Sequence, residues 1–323
     1  MYQKAYGIIE TLAPLHVGAS AGEETGNLNL IFRDQFTQTG IIPGSSIRGR
    51  FRADMRSQSN GLKLANIWYG HDSDPDESEV EESTKNEADK IPQTKDHTTE
   101  ALVKFEYASL LWLPVYSPGQ PIVWISSPRL LKRYQQITAQ ESSVPEPTMD
   151  DSTNLLQYPV SLKKDQNSLK KDQKRLFFNL GFLDNLKHNQ ELKKWIPDEL
   201  KFTNPENLVV VQDDEMALIH DMALYRQTRT QLNKEYKKVE NFFGFEALPE
   251  SSILVFPIAI KKNILEKEKQ KLTNLGQQPK WQPFTEFSSK ELYLGGLESI
   301  GCGRCQITVA GKYFNVSETT EGV

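Results

Sequence analysis

Runs of apolar residues typical of β-strands alternate along this chain with polar segments and with stretches of helical period. Short runs rich in β-branched and aromatic residues predict strands at residues 4–12, 108–115, 121–125, 208–211 and 251–260. The letters YSPGQP between the second and third of these strands predict a hairpin turn. Helical patterns occupy residues 129–136, 213–222 and 261–274. Strands and helices in this order indicate an α+β fold.

One further helix combines an apolar stripe with a cationic one. Pro43 and Gly44 end the preceding strand, and a helix is expected to begin near Ser45 or Ser46, because serine oxygens cap helix N-termini. Its apolar stripe recurs every four residues at Ile47, Phe51 and Met55. Its cationic stripe consists of Arg48, Arg52 and Arg56, with Arg50 nearby. Backbone N–H groups, hydroxyls and guanidinium groups at one helix start can bind phosphates, although a solvated arginine face is the alternative.

Length and composition limit the class of protein. A chain of 323 residues can form one large or two small domains with a sizeable core. Hydrophobic residues make up 37%, and no apolar run approaches the roughly 20 residues of a membrane span. The N-terminal letters MYQKAYGIIE lack the long apolar segment of a signal peptide. We therefore expect a cytoplasmic protein.

The net charge of −5 is unevenly distributed. Nine acidic residues and one lysine lie between Asp72 and Asp89, so this segment carries −8 and the rest of the chain +3. The segment has no aromatic residue and little apolar content, which predicts a flexible insertion outside the fold. It could contact a basic partner or mimic nucleic acid, or it could simply be a solvated linker.

Two cysteines, Cys302 and Cys305, form a Cys-Gly-Arg-Cys sequence within a glycine-rich stretch. The chain has no second cysteine pair, and a zinc site would need ligands from distant segments. A redox motif of this spacing belongs at the start of a helix. We therefore interpret the spacing as incidental, and we predict no resident metal or cofactor.

Four sequence blocks together resemble one protein family. Near the N-terminus LHVG, FRD and IPGSSIRGRFR follow one another, and GGLESIGCGR stands at residues 295–304. Between them lie residues 110–134 and residues 226–250. These blocks, in this order, are similar to the RAMP superfamily of CRISPR-associated proteins, and in particular to the backbone subunits of type III-B (Cmr) effector complexes.

The resemblance implies a fold, a domain organisation and partners. It implies a ferredoxin-like, RRM-related palm with inserted hairpin or helical arms and a C-terminal glycine-rich loop. Residues 1–323 would form a single RAMP domain, with an acidic insertion at 71–100 and a polar, basic insertion at 140–200. The partners would be a CRISPR RNA, its complementary target RNA, further copies of the chain in a filament and other subunits of the complex.

The candidate RNA contacts come from the helix that begins near Ser45, from residues 226–238 and from the glycine-rich loop. The helix contacts follow from its pattern and those of residues 226–238 from the resemblance, while glycines permit positive φ and close approach of a backbone to RNA. The candidates are Ser45, Ser46, Arg48, Arg50, Arg52, Arg56, Arg226, Arg229, Lys237, Gly295, Gly296, Gly301 and Gly303.

The chain departs from the family at the residue that the resemblance would make catalytic. Cleaving members carry an aspartate in the loop before the pair that here is Arg33-Asp34, and this loop contains Asn27, Leu28 and Asn29 instead. An amide cannot neutralise a metal ion as a carboxylate can. The remaining acid–base candidates are His16, Glu24, Asp34 and Glu246.

Three functions remain open from the sequence. The favoured one is an RNA-binding backbone subunit that does not cut. The first alternative is an endoribonuclease, dependent on Mg²⁺, that cuts target RNA at regular intervals with an acid from another loop position or a neighbouring subunit. The second alternative is a RAMP ribonuclease that processes precursor CRISPR RNA with His16, whose imidazole titrates near neutral pH.

Overall fold

The computed structural model describes residues 1–19, 28–70, 100–118, 120–147, 155–158, 176–178, 181–183, 186–233, 235–284 and 288–315. The strands are β1 (Tyr2–Thr11), β2 (Leu28–Asn29), β3 (Ile41–Ile42), β4 (Val103–Phe105), β5 (Ala108–Ser117), β6 (Gln120–Ser126), β7 (Leu155–Tyr158), β8 (Leu176–Phe178), β9 (Gly181–Leu183), β10 (Leu186–His188), β11 (Leu208–Val210), β12 (Tyr225–Leu232), β13 (Val239–Ala247), β14 (Ile253–Lys261), β15 (Ser289–Tyr293) and β16 (Arg304–Ala310). The α-helices are α1 (Gly44–Arg56), α2 (Gly61–Tyr69), α3 (Pro128–Thr138), α4 (Asp213–Ala223), α5 (Glu266–Asn274) and α6 (Lys312–Asn315). Short 3-10 helices cover Gln190–Trp195 and Glu298–Ile300. The acidic residues 72–89 lie outside the described ranges.

The main sheet contains the strand order of a ferredoxin-like domain. Its central strands lie in the order β16-β1-β14-β5, and every neighbouring pair is antiparallel. Along the chain these elements follow as β1, α1, β5, β14, α5 and β16. This is the split βαβ arrangement, in which each crossover leaves room for a strand from the other half. The α+β prediction and the ferredoxin-like palm are confirmed.

The palm is extended on both edges. Strand β15 continues the sheet beyond β16, and β6, β11, β7 and β10 continue it beyond β5. The predicted hairpin is present, because β5 and β6 pair antiparallel on either side of the turn. The predicted strands β1, β11 and β14 and the predicted helices α3 and α4 are also present.

Both faces of the central sheet are buried. Ile9 and Phe256 belong to one apolar cluster, which also contains Phe51 of α1 and Leu272 of α5. Their neighbour Ile8 belongs to a second cluster with Trp112 and Trp195. Successive side chains of a strand point to opposite faces, so the central strands need apolar residues at nearly every position. This explains why they are continuous apolar runs in the sequence.

Helix α1 differs from its prediction at its start. Ile47, Phe51 and Met55 are buried as predicted. The N-cap, however, is Pro43, and neither serine caps the helix. The Pro43 carbonyl oxygen accepts hydrogen bonds from the backbone N–H groups of Ser46 and Ile47, so the helix begins earlier than a serine cap would allow. Ser45 and Ser46 therefore lie within the first turn.

The start of one other helix needs correction. Helix α5 begins at Glu266 instead of residue 261, because Lys261 still pairs with Tyr2 in the sheet. Strands β12 and β13 form a hairpin, which we call the arm. Leu232 and Tyr236, the apolar residues of its first strand and turn, are both exposed. Every residue of β12 is exposed, as are Phe242 and Phe243 on β13.

Candidate functional site

Four charged side chains meet at the base of the arm. Arg226 of β12 stands directly opposite Glu246 of β13, and opposite charges at such cross-strand positions attract each other. Arg33 approaches from the segment after β2, and Asp221 from the last turn of α4. We call Arg33, Asp221, Arg226 and Glu246 the ion cluster.

The ion cluster is closely bonded. Glu246 is only 3% exposed, and its carboxylate accepts hydrogen bonds from Arg33 Nη2 at 3.1 Å and from Arg226 Nη2 at 3.0 Å. The Asp221 carboxylate lies 3.0 Å from Arg33 Nη2 and 3.1 Å from Arg226 Nη2. Burial by itself would raise the pKa of Asp221, but the two arginines hold it below its ordinary value. The cluster thereby fixes the arm to α4 and to the segment that follows β2.

A buried histidine lies beside the ion cluster. His220 of α4 is completely buried, and its Nε2 accepts a hydrogen bond of 2.9 Å from the Gly40 backbone N–H. Burial, assisted by the positive charges of Arg33 and Arg226, lowers the pKa of His220 to about 3. The ring is therefore neutral at neutral pH, and its proton lies on Nδ1, which has no hydrogen-bond partner within the described ranges.

His16 also contacts this region. Its Nδ1 lies 2.6 Å from the Glu246 backbone carbonyl oxygen, which can only accept, so Nδ1 carries a proton. The ring is buried and meets the Phe245 ring edge-on, with 5.9 Å between the centroids. The Nε2 atom lies 3.0 Å from the position that a Cβ on Gly18 would occupy. The histidine is thus held at the end of the segment that leads into residues 20–27, which lie outside the described ranges.

The glycine-rich loop packs against the backbone of the His16 segment. The Gly296 N–H donates to the His16 carbonyl oxygen, and the Gly303 N–H donates to that of Pro14, both at 2.9 Å. Gly295, Gly301 and Gly303 have positive φ. A Cβ on Gly295 would lie 2.1 Å from the His16 carbonyl oxygen, whereas one on Gly296 would meet nothing within 4 Å. The two ends of the chain therefore meet at this loop.

The arm continues the same region. Phe245 and Ala247 of β13 pack with buried Cys302 of the glycine-rich loop. Burial raises the pKa of the Cys302 thiol, and the positive charge of Arg229 opposes this effect. Both cysteines are free thiols. Arg229 and Lys237 are exposed on the arm.

The asparagines of the catalytic hypothesis are only partly described. Asn27 and Glu24 lie outside the described ranges. Asn29 is exposed in β2, which pairs in parallel with β13 and places Asn29 opposite Phe245. Asn29 is therefore next to the residue that precedes Glu246.

The Asp34 carboxylate caps a turn in its own segment of the chain. Its Oδ1 accepts hydrogen bonds from the backbone N–H groups of Phe36 and Thr37 and from the Thr37 hydroxyl. Burial opposes ionisation, but these hydrogen bonds lower the pKa of Asp34 below its ordinary value. Among the described residues, no group of three or more His, Cys, Asp and Glu side chains could hold a metal ion.

The arginines of α1 divide into two groups. Arg48 donates to the carbonyl oxygen of Tyr69, the last residue of α2, and Arg52 donates to the Asn66 side chain of that helix. Arg50 is half-buried, and its Nε has no hydrogen-bond partner in the described part of the chain, while Arg56 is exposed. The cationic face expected from the sequence is therefore partly engaged in packing α1 against α2.

The structure joins some candidates and separates others. His16, Glu246, Arg226 and the glycine-rich loop form one continuous region, as the contacts above show. The start of α1 contacts a different segment, since a Cβ on Gly44 would lie 2.5 Å from the Phe105 carbonyl oxygen. Sequence reasoning missed Asp221 and His220 as neighbours of Glu246. The one available signal was the adjacent imidazole and acidic groups in the last turn of α4.

Comparison with known proteins identifies relatives of this chain. A sequence model of the RAMP superfamily matches residues 8–306. The fold is similar to a chain of the structure described as type III-B Cmr-beta bound to cognate target RNA, with a TM-score of 0.60, 17% identity and coverage of 95% of this chain and 97% of that chain. It is also similar to oligomeric Cmr4 from Pyrococcus furiosus, with a TM-score of 0.58, 16% identity and coverage of 95% and 98%. At such identities these likenesses establish the fold.

Two other comparisons add less. No curated protein sequence matches the chain. None of the helices in the described ranges has the length and apolar content that a membrane crossing requires.

Proposed function

Because the chain belongs to the RAMP superfamily, we propose that it is a CRISPR RNA-binding backbone subunit of a type III effector complex of the Cmr kind. Copies of the chain would assemble side by side along the guide RNA and position a complementary target RNA. Other subunits of the complex would complete the assembly. The sequence of the target would be recognised by base pairing, while the protein binds backbone and shape.

The observation that carries this proposal is the likeness of nearly the whole chain to oligomeric and target-bound Cmr proteins. It covers 95% of this chain and at least 97% of each relative, so it extends well beyond the palm strands. A palm alone would support only membership of the fold, because ferredoxin-like domains have many functions.

We place the guide RNA backbone at the first turns of α1. Ser45 is exposed there, and Ser46 lies four residues before Arg50 on the same face of the helix. Arg50 is only half-buried, and the accessible part of its guanidinium group could donate to a phosphate oxygen. Arg56 would add charge six residues further along the helix, whereas Arg48 and Arg52 would act mainly by holding α1 on α2.

We place the arm and the glycine-rich loop against RNA as well. Arg229 and Lys237 provide cations on an exposed hairpin, beside exposed Phe242 and Phe243. Aromatic side chains stack on bases of any sequence. Arg226 would act through the ion cluster, because its guanidinium is bonded to Glu246. Gly296 and Gly301 leave open space at their Cβ positions, which would allow RNA to approach the backbone closely.

We propose that the subunit binds target RNA without cutting it. Asn27, Leu28 and Asn29 stand where the resemblance expects an aspartate. Asp34 is the nearest described carboxylate in sequence, and its Oδ1 atom is occupied by the turn that it caps. The Nδ1–H group of His16 donates to a backbone carbonyl oxygen, so a structural role accounts for the burial of this residue.

The direct test is RNA binding by variants of the α1 surface. Equilibrium binding of a fluorescently labelled single-stranded RNA would be measured for the wild type, Arg50→Gln and Ser46→Ala. Loss of a charged hydrogen bond to a phosphate should weaken binding about tenfold in Arg50→Gln, and should make the dependence on salt less steep. Ser46→Ala should weaken binding less, because a neutral hydroxyl contributes less than a guanidinium group.

The matched control is Lys267→Gln, which removes one positive charge from the exposed surface of α5. This variant should bind RNA as the wild type does. Equal losses in Arg50→Gln and Lys267→Gln would show that only the overall charge matters. An absence of RNA binding by the folded wild type would refute the proposed function.

A further inference from the structure

A cavity of about 300 Å³ lies between the turn that Asp34 caps, the start of β5 and the first turns of α3. Phe36 and Thr37 line it from the turn, Tyr107 from the segment before β5, and Arg129 and Arg133 from α3. We call it the α3 pocket. We propose that the α3 pocket binds the base of one nucleotide of single-stranded RNA, an inference that rests on the proposed function and adds a base-binding site to it.

Arg133 forms a prearranged wall of the pocket. Its guanidinium group lies over the Tyr107 ring at 3.9 Å from the centroid. Its Nε donates to the Ser109 hydroxyl at 3.0 Å, and its Nη2 donates to the Tyr107 backbone carbonyl oxygen at 3.3 Å. These bonds fix the guanidinium plane without using all five of its donors. A planar group held in this way can stack on a base or donate to its edge at little cost in side-chain entropy.

Arg129 and Phe36 form a further part of the pocket lining. Arg129 precedes Arg133 by four residues, so both side chains lie on one face of α3. The Arg129 guanidinium carbon lies 5.9 Å from the centroid of the Phe36 ring. Phe36 is 77% exposed, which is unusual for a phenylalanine at the mouth of a cavity that nothing in the described chain fills. A nucleobase would cover this ring by stacking.

The polar lining suits a base better than an apolar ligand. Asp34 Oδ1 is saturated by its turn, but among the described residues Oδ2 has only one long contact, of 3.4 Å with the Tyr107 hydroxyl. Thr37 adds a hydroxyl to the same lining. Two guanidinium groups and one carboxylate therefore provide donors and an acceptor around a small apolar space. Stacking between such groups tolerates any base, as a subunit that binds guides of many sequences requires.

The position of the pocket supports RNA as its occupant. Strand β3 pairs with β5 so that Ile41 stands opposite Ser109 and Ile42 opposite Ala108. The chain then enters α1, whose Gly44 abuts the Phe105 backbone. The first turn of α1 and the pocket thus lie on adjoining segments. An RNA strand with a phosphate bound at Ser46 and Arg50 could place a neighbouring base in the pocket.

The test separates bases from phosphates. Binding would be measured for a labelled oligouridine and for a ribose-phosphate oligomer of the same length without bases. Phe36→Ala should weaken binding of the oligouridine about 5- to 100-fold, and should leave binding of the abasic oligomer unchanged. Arg129→Gln should weaken binding of the oligouridine too. Lys132→Gln, an exposed cation on the same helix outside the pocket lining, should bind both oligomers as the wild type does.

Each outcome distinguishes the pocket from the proposed function. If Phe36→Ala and Arg129→Gln bind oligouridine like the wild type while Arg50→Gln loses affinity, the pocket inference is wrong and the proposed function stands. If Phe36→Ala weakens both oligomers equally, Phe36 does not contact a base, and the inference is also wrong. If the folded wild type binds neither oligomer, both proposals fail.

Discussion

Glu246 is a buried carboxylate whose charge is balanced by two arginines that come from different parts of the chain. Removing two opposite charges from water is costly, and close hydrogen bonds such as those to Arg33 and Arg226 are needed to offset that cost. Much of the hydrogen-bonding capacity of the carboxylate is consumed in this way. We therefore expect Glu246 to position the base of the arm, and we assign it no proton-transfer step.

The neutral state of His220 predicts a pH dependence of folding stability. The ring has a pKa of about 3 in the folded chain and an ordinary value of 6.5 when unfolded. Between these two values the unfolded chain binds one more proton, so the free energy of unfolding falls as the pH falls below 6.5. The limiting slope for one histidine is about 1.4 kcal/mol per pH unit. Urea unfolding at several pH values between 7 and 5 would measure it.

A matched variant isolates the histidine from other titrating groups. His220→Gln keeps a side-chain acceptor for the Gly40 N–H but cannot be protonated in this range. Its free energy of unfolding should fall less steeply with decreasing pH than that of the wild type. The difference between the two slopes should correspond to close to one bound proton. The same slope in both proteins would contradict the assignment of a neutral, buried ring.

Asn29 permits a test of the catalytic hypothesis. We expect the assembled wild-type complex to hold complementary RNA with Mg²⁺ present and not to cut it. The variants Asn27→Asp and Asn29→Asp each restore a carboxylate to the loop, and one of them should produce evenly spaced cuts. Gel analysis of labelled target RNA would show the products. Evenly spaced cutting by the wild type that Asp34→Ala or Glu24→Ala abolishes would contradict the scaffold proposal.

Within the glycine-rich loop, neighbouring glycines have different structural requirements. Gly295 has φ of +75° and abuts the His16 carbonyl oxygen, whereas Gly296 donates to that oxygen and has open space at its Cβ position. A side chain at Gly295 would both strain the backbone and separate the loop from the His16 segment.

The two glycines therefore form a matched pair of variants. Gly295→Ala should lower the free energy of unfolding by at least about 1–2 kcal/mol, the cost of a left-handed backbone for a residue with a Cβ. Gly296→Ala should change it little. Urea unfolding of both variants would measure the difference. Equal stabilities would show that the loop does not require the close contact with His16.

At the level of elements, the sequence pattern predicted the features that side-chain periodicity determines. The apolar stripe of α1 and the strands of the buried sheet follow from side-chain periodicity, and both are present. The start of α1 and that of α5 were misplaced, because the Pro43 carbonyl oxygen and the pairing of Lys261 in the sheet decide them. Such contacts have no local sequence signal.

At the level of the whole molecule, the candidate site could be predicted only in part. The resemblance pointed to His16, Glu246 and the glycine-rich loop, which the structure brings together. Arg33 reaches Asp221 across 188 positions and Glu246 across 213 positions of sequence, so no periodicity could have paired them. The α3 pocket likewise joins three separate segments. The division of the α1 arginines between packing and solvent depends on the position of α2.

The central claim is that copies of this chain assemble side by side along RNA. Its most direct test is the mass of complexes formed with a series of single-stranded RNAs of increasing length, measured by native mass spectrometry at fixed salt. The account predicts that the number of bound copies increases in equal steps with RNA length. It also predicts that Arg50→Gln lowers the number of bound copies at every RNA length. A fixed number of copies at all RNA lengths would contradict the account.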